Sequence, residues 1–186
     1  MRLPVPALAV LVLAFALAAS AASAQPVDPK RQQAVNIAVD WIEKNTRYKQ
    51  VPMVGHWVEL SGEQMAQQAV RGHVFGDPHQ VSAIYSCGAD TLYFRNDVNF
   101  YDVAILSLLV HELTHHAQCL AHVPMNDTCA VEREAYRNQQ AFVRALPARL
   151  AAAGSPPSPA LAKSMTSFAA DIDRIITMVC QGTAAH

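Results

Sequence analysis

The sequence lacks any run of basic residues and carries little charge of either sign. Of its 186 residues, 14 are Lys or Arg and 15 are Asp or Glu, which gives a formal net charge of -1. No basic stretch alternates with aromatic side chains, and this absence argues against a nucleic-acid partner. No internal repeat is visible either, and the length suits one domain.

Long apolar runs are absent after residue 24. Before that point, Met1-Arg2 is followed by an apolar run over residues 8–18 and by the small residues Ala22-Ser23-Ala24. This order is typical of a secretory signal peptide over residues 1–24, with an uncleaved N-terminal anchor as the alternative. We therefore expect a secreted or periplasmic protein with one domain over residues 25–186 and no membrane span after cleavage. Its oligomeric state is left open.

The spacing of apolar residues predicts five helices and three short strands. Caps and a period near 3.6 indicate helices, and runs of β-branched or aromatic residues between turns indicate strands. The expected helices span about 29–45, 61–70, 103–120, 129–146 (ended by Pro147) and 160–181, and the expected strands span 51–60, 81–86 and 91–96. The last two strands form a hairpin. Strand 91–96 is either an ordinary sheet strand or an edge to which an extended peptide adds.

The most informative stretch is His111-Glu112-Leu113-Thr114-His115, which reads HExxH. On a helix, His111 and His115 lie one turn apart on the same face and can bind one metal ion. Glu112 borders that face and can accept a proton from a water at the metal. The pattern predicts two metal ligands and a general base.

Two histidines and a water leave a catalytic zinc site one protein ligand short. Two glutamates on the next helix, Glu132 and Glu134, are candidates for the third ligand. At 100° per residue, Glu132 shares the apolar stripe of that helix, whereas Glu134 falls on the opposite, solvated face. A carboxylate on an apolar stripe is costly unless it is paired or bound to a metal, which favours Glu132.

The HExxH stretch followed by Glu132-x-Glu134-Ala135 resembles the gluzincin type of zincin metallopeptidase over about residues 81–146. The resemblance implies an α+β fold, in which a small mixed or antiparallel sheet packs on a central HExxH helix. A glutamate-bearing helix and a C-terminal helix follow. It also implies one Zn²⁺ per chain, bound by His111, His115 and Glu132.

One position departs from the pattern of those families. Four residues after the ligand glutamate they often have Asp or Asn, which orients a ligand histidine, whereas this chain has Tyr136. Asn138 and Gln139 are possible substitutes for that role. The hydrolysis of a peptide bond also needs a donor to the oxyanion. Tyr136 is the first candidate for this donor, and the others are Tyr93, Tyr101 and His116.

Four cysteines follow the predicted signal peptide, and an even number in an exported protein favours two disulfides. We expect the pairs Cys119–Cys129 and Cys87–Cys180, because the first would join the end of the histidine helix to the start of the glutamate helix. As a thiolate, Cys119 is a rival metal ligand, since it lies on the face of His115.

These residues predict an exported zinc-dependent hydrolase of peptide bonds, with Glu112 as general base. Its substrate is a peptide or protein of unknown identity, or an amide in a cell-wall peptide. The alternative is a non-catalytic metal-binding or interaction protein on the same fold. Glu112 argues against this alternative, because a purely structural metal site does not need a carboxylate there.

Overall fold

A computed structural model describes residues 28–72 and 77–183 of the chain, so the predicted signal peptide lies outside the described residues. The described part is a mixed α/β structure with five α-helices and one three-stranded sheet. The helices are α1 (Pro29–Asn45), α2 (Gly62–Arg71), α3 (Val103–Leu120), α4 (Thr128–Ala152) and α5 (Pro159–Thr183). The strands are β1 (His56–Leu60), β2 (Ala83–Ser86) and β3 (Thr91–Arg95).

Aspartate side chains cap the N-termini of three helices: α3 with the HExxH stretch, α4 with the glutamates, and α1, which packs on α3. Asp28 accepts a hydrogen bond from the backbone N–H of Lys30 at the start of α1, and Pro29 follows as the first helical residue. Asp102 caps α3 and Asp127 caps α4 in the same way. The predicted starts of these three helices agree with the structure to within one residue.

The sheet has the order β1-β3-β2, with β1 parallel and β2 antiparallel to β3. The predicted hairpin is therefore present, and the mixed sheet agrees with the expected one. Because β3 is the central strand, both of its edges are paired, and the idea that residues 91–96 offer a free edge is wrong. The outer edge of β2 lies on the side of α3.

Helix α3 is the centre of the hydrophobic core. It is buried without interruption from Leu109 to Gln118, and it packs against α1, α4 and β2. Leu92 and Phe94 of β3 belong to the same core cluster as Leu109 and Leu113 of α3. A helix that is apolar nearly all round is expected to be central, and here this places the HExxH residues inside the protein.

Two predicted boundaries differ from the structure by five residues or more. The strand predicted over 51–60 begins only at His56, because the preceding backbone is bound by side chains. Glu43 accepts the N–H of Val51, and the carbonyl of Pro52 accepts a hydrogen bond from His116. These two backbone groups are therefore not available for a ladder with β3.

Helix α4 does not end at Pro147 but continues to Ala152. The proline removes one helical hydrogen bond. The residues on either side of it compensate, since Leu146 is buried and Leu150 packs on the core. Arg149 lies over the ring of Trp41 and also approaches Asp40 of α1.

The two disulfides join different pairs from those predicted. Cys87 is bonded to Cys119, and Cys129 to Cys180. Cys129 lies about three helical turns before Gln140, on the face of α4 that packs against α5, so it meets Cys180 and not Cys119. Two disulfides are compatible with an extracellular protein. No helix among the described residues has the length and apolar character needed to cross a membrane.

We expect the two disulfides to contribute similarly to stability. They close loops of 32 and 51 residues, for which the chain-entropy relation gives about 4 kcal/mol each. Urea unfolding of Cys87→Ser/Cys119→Ser and of Cys129→Ser/Cys180→Ser should show this loss of unfolding free energy in each case. Peptide mapping without reductant checks the pairing, and a peptide containing Cys119 joined to Cys129 would contradict it.

Candidate metal centre

Three side chains from two helices bring their ligand atoms together. His111 and His115 of α3 approach each other, with 3.1 Å between their Nε2 atoms. Glu132 of α4 places Oε2 at 3.3 Å from Nε2 of His111, and Oε1 at 3.4 Å from Nε2 of His115. We call these three residues the ligand cluster. It is the one group of three or more potential metal ligands within the described residues.

The spacing of these atoms is compatible with one bound metal ion. Nitrogen and oxygen ligands at about 2.0–2.1 Å from zinc lie about 3.3–3.4 Å from one another in a tetrahedron. The separations in the ligand cluster are 3.1 to 3.4 Å, with a different carboxylate oxygen of Glu132 facing each histidine. Both histidines are buried, whereas the side chain of Glu132 remains 28% exposed. One side of the cluster is therefore accessible to solvent and to a ligand.

The charges of the ligand cluster are strongly coupled. Burial acts to raise the pKa of Glu132, but hydrogen bonds from His111 and His115 outweigh it and hold this pKa well below its usual range. Burial also acts to lower the pKa of His115, but the contact with Glu132 and the charge of Glu112 raise it to about 9. The site therefore favours a cation beside the carboxylate of Glu132.

Glu112 lies beside the cluster and is held by the sheet. Its Oε2 accepts the backbone N–H of Tyr85 at 2.7 Å. In the antiparallel pairing of β2 with β3, the carbonyl of Ser82 accepts the N–H of Arg95, so the N–H of Tyr85 points away from β3. Edge strand β2 and helix α3 thus fix the carboxylate together. No hydrogen bond among the described residues occupies its second oxygen, Oε1.

Tyr136 is the one predicted oxyanion donor that packs on the ligand cluster. Its ring centroid lies 4.2 Å from that of His111. Burial, followed by the charges of Glu132 and Glu112, raises the pKa of Tyr136 well above its usual range. The hydroxyl therefore stays protonated at neutral pH and can donate a hydrogen bond.

The other predicted donors lie elsewhere. Because side chains alternate along a strand, Tyr93 is on the opposite face of β3 from Leu92 and Phe94, which pack on α3. Tyr101 is exposed before the start of α3. His116 is fully buried, and its two ring nitrogens contact the hydroxyl of Tyr85 and the carbonyl of Pro52.

The partner of His115 was missed from the sequence. Asn138 and Gln139, the predicted substitutes, contact side chains of Thr114 and Ser107 and reach neither ligand histidine. Instead, Gln118 of α3 contacts Nδ1 of His115 at 2.8 Å. A glutamine three residues after the second histidine lies one turn further along the same side of the helix, which is the pattern that would have indicated it.

The position of Glu134 also differs from the prediction. It was placed on a solvated face, but its side chain is 29% exposed and its Oε2 accepts a hydrogen bond from Nε2 of Gln118. Glu134 therefore contacts Gln118, whereas Glu132 is the glutamate that faces the two histidines. Cys119 is no rival ligand, because it is bonded to Cys87.

The fold and the site together define a mixed α/β protein with a His-His-Glu cluster that can hold a metal ion. The chain belongs to the DUF6647 family, described as a domain of unknown function, whose match covers residues 28–152. This range runs from the cap of α1 to the end of α4, so it contains the whole ligand cluster and Glu112. No curated protein and no solved structure matches the chain.

Proposed function

We propose that this protein is an exported zinc-dependent hydrolase of the zincin type that cleaves peptide bonds. One observation carries the proposal. One ligand atom each from His111, His115 and Glu132 lies within 4.8 Å of the other two, and Glu112 is fixed beside them without being one of the three. A metal site that serves structure alone is usually closed by four protein ligands, whereas this cluster supplies three and has an open side.

The residues of the cluster suit zinc in kind as well as in spacing, since two imidazoles and one carboxylate form a common catalytic donor set. When bound, zinc would polarise the scissile carbonyl and lower the pKa of a water at the site. Glu112 takes a proton from the attacking water through Oε1, while the N–H of Tyr85 holds Oε2 in place. The same carboxyl then gives the proton to the leaving amine.

Two further parts of the site are assigned by position. Tyr136 borders His111 and offers a protonated hydroxyl, so it is the candidate donor to the oxyanion. An extended peptide would pair with the outer edge of β2 before Tyr85, whose own N–H is bonded to Glu112. This placement replaces strand β3, which is paired on both edges.

The proposal is tested by metal content and peptide cleavage on the full chain, exported and purified. We expect about one zinc per chain by mass spectrometry, and new amino and carboxyl ends in a peptide mixture incubated with the protein. Removal of zinc by a chelator should abolish cleavage, and added zinc should restore it. Cell-wall peptides are tested beside protein-derived peptides, because both contain the required amide.

Two results would contradict this proposal in different ways. Zinc binding without cleavage of either class of peptide would favour the non-catalytic alternative, a metal-binding protein on the same fold. Failure of the chain to bind zinc, even when zinc is supplied, would contradict the proposed metal site itself.

A further inference from the structure

Gln118 is fully buried and bridges the ligand cluster to the helix behind it. Its Oε1 lies 2.8 Å from Nδ1 of His115. Its Nε2 donates to the backbone carbonyl of Val131 and to Oε2 of Glu134, each at 3.0 Å. The oxygen of this amide thus contacts a residue of α3, and both of its N–H groups donate to residues of α4.

The contacts on α4 determine which way the amide of Gln118 points. A backbone carbonyl can only accept hydrogen bonds, so the group facing Val131 must be the NH₂ of Gln118, and its oxygen must face His115. Nδ1 of His115 is then the donor in that contact. In a neutral imidazole this tautomer leaves the lone pair on Nε2, the atom that faces His111 and Glu132.

Glu134 is itself held from a third part of the chain. Its Oε2 accepts hydrogen bonds from the hydroxyl of Tyr48 at 2.9 Å and from Arg47 at 3.0 Å, in addition to that from Gln118. Tyr48 is buried and lies just after the end of α1. A continuous set of contacts therefore connects the segment after α1, through Glu134 and Gln118, to His115.

The two ligand histidines are not supported equally. Nδ1 of His111 is buried and has no hydrogen-bond partner in the described structure, whereas Nδ1 of His115 has Gln118. A ligand histidine usually donates its second N–H to a partner that fixes its tautomer and ring orientation. Among the described residues, only His115 of the two ligand histidines has such a partner. Loss of the Gln118 contact would therefore leave neither histidine with one.

We propose that Gln118 is a positioning residue that fixes the tautomer and ring orientation of His115. The orientation of Gln118 is in turn fixed by its hydrogen bond to Glu134, which also accepts a hydrogen bond from Tyr48. The affinity of the site for zinc then depends on a contact with the segment after α1. This inference rests on the proposed metal site, and it adds a role for the second glutamate of Glu132-x-Glu134.

The test compares Gln118→Leu and Glu134→Ala with the wild type and with Gln140→Leu. Gln140 is a matched control, because it is also a buried glutamine, and it donates to the carbonyl of Ala169 in α5 away from the ligand cluster. The zinc dissociation constant is measured by competition with a chromophoric chelator. The visible spectrum of the cobalt-substituted protein reports the ligand geometry, and thermal unfolding of the metal-free proteins reports stability.

We expect Gln118→Leu to weaken zinc binding about 10- to 100-fold and to change the cobalt spectrum, as loss of such a contact usually does. Glu134→Ala should weaken binding less, by about 3- to 10-fold, because Val131 still holds the amide. Gln140→Leu should leave both readouts unchanged, even if its metal-free form unfolds at as low a temperature as that of Gln118→Leu.

Zinc affinities within twofold of the wild type in both Gln118→Leu and Glu134→Ala would overturn this inference and leave the metal site intact. An equal loss of affinity in Gln140→Leu would also overturn it, since the effect would then follow stability alone. If Gln118→Leu does not fold, Glu134→Ala decides the matter. Absence of zinc binding in the wild type would overturn both the proposal of a metal site and this inference.

Discussion

Glu112→Gln is expected to keep about one zinc per chain and to lower kcat for peptide hydrolysis by about 10²- to 10⁴-fold, the usual size of a general acid–base contribution. The amide has nearly the same shape as the carboxylate, and its oxygen can still accept the N–H of Tyr85. It cannot take a proton from water at neutral pH. The substitution therefore separates the chemistry of Glu112 from the binding of metal by the ligand cluster.

The matched control for Glu112→Gln is Glu43→Gln. Glu43 also accepts a backbone N–H, that of Val51 at 2.8 Å, but its hydrogen-bond partners lie on the segment after α1. Zinc content, thermal unfolding and kcat are measured for both variants and the wild type. Full activity in Glu112→Gln would eliminate the proposed role of Glu112 as general base, and loss of activity in Glu43→Gln would point to a general effect of the exchange.

Glu132→Gln is expected to weaken zinc binding by more than about 100-fold, a larger effect than the loss of a supporting contact. In the proposed site Glu132 supplies the third ligand atom, and its carboxylate contacts both histidines. Its replacement leaves two imidazoles with no neighbouring negative ligand. Because three protein ligands are the usual minimum for a catalytic zinc site, metal should be lost at micromolar protein concentration.

The comparison that decides this prediction is Glu134→Gln. The two glutamates lie two residues apart on α4 and differ in what they face, since Glu132 meets the histidines and Glu134 meets Gln118. Zinc content by mass spectrometry and a chelator-competition constant are measured for both variants. A greater loss of zinc in Glu134→Gln than in Glu132→Gln would reverse the assignment of the third ligand.

The parts of the structure that could be predicted from the sequence are those that local patterns specify. Asp28, Asp102 and Asp127 act as caps within a few residues of their own position, so the helix starts were predictable. The placement of Glu132 followed from helix geometry, because the apolar stripe of α4 turns it towards α3. The structure brings its carboxylate to within 3.4 Å of both histidines.

The parts that could not be predicted depend on packing between distant segments. The pairing of Cys129 with Cys180 depends on the docking of α5 on α4, which no local pattern shows. The continuation of α4 past Pro147 depends on the contacts of Leu150 and Arg149 with the rest of the core. The helix pattern places Glu134 on a solvated face, but Tyr48, which lies 86 residues earlier in the chain, packs there and donates a hydrogen bond to it.

The hydrogen bond between Tyr85 and Glu112 gives the site a built-in reporter. A backbone amide that points out from an edge strand ordinarily exchanges its hydrogen with water quickly, because no ladder bond protects it. In this protein the carboxylate of Glu112 protects the amide of Tyr85. Hydrogen–deuterium exchange at that single amide therefore follows the position of the carboxylate. Any molecule that draws Glu112 away from β2 becomes detectable without an assay of turnover.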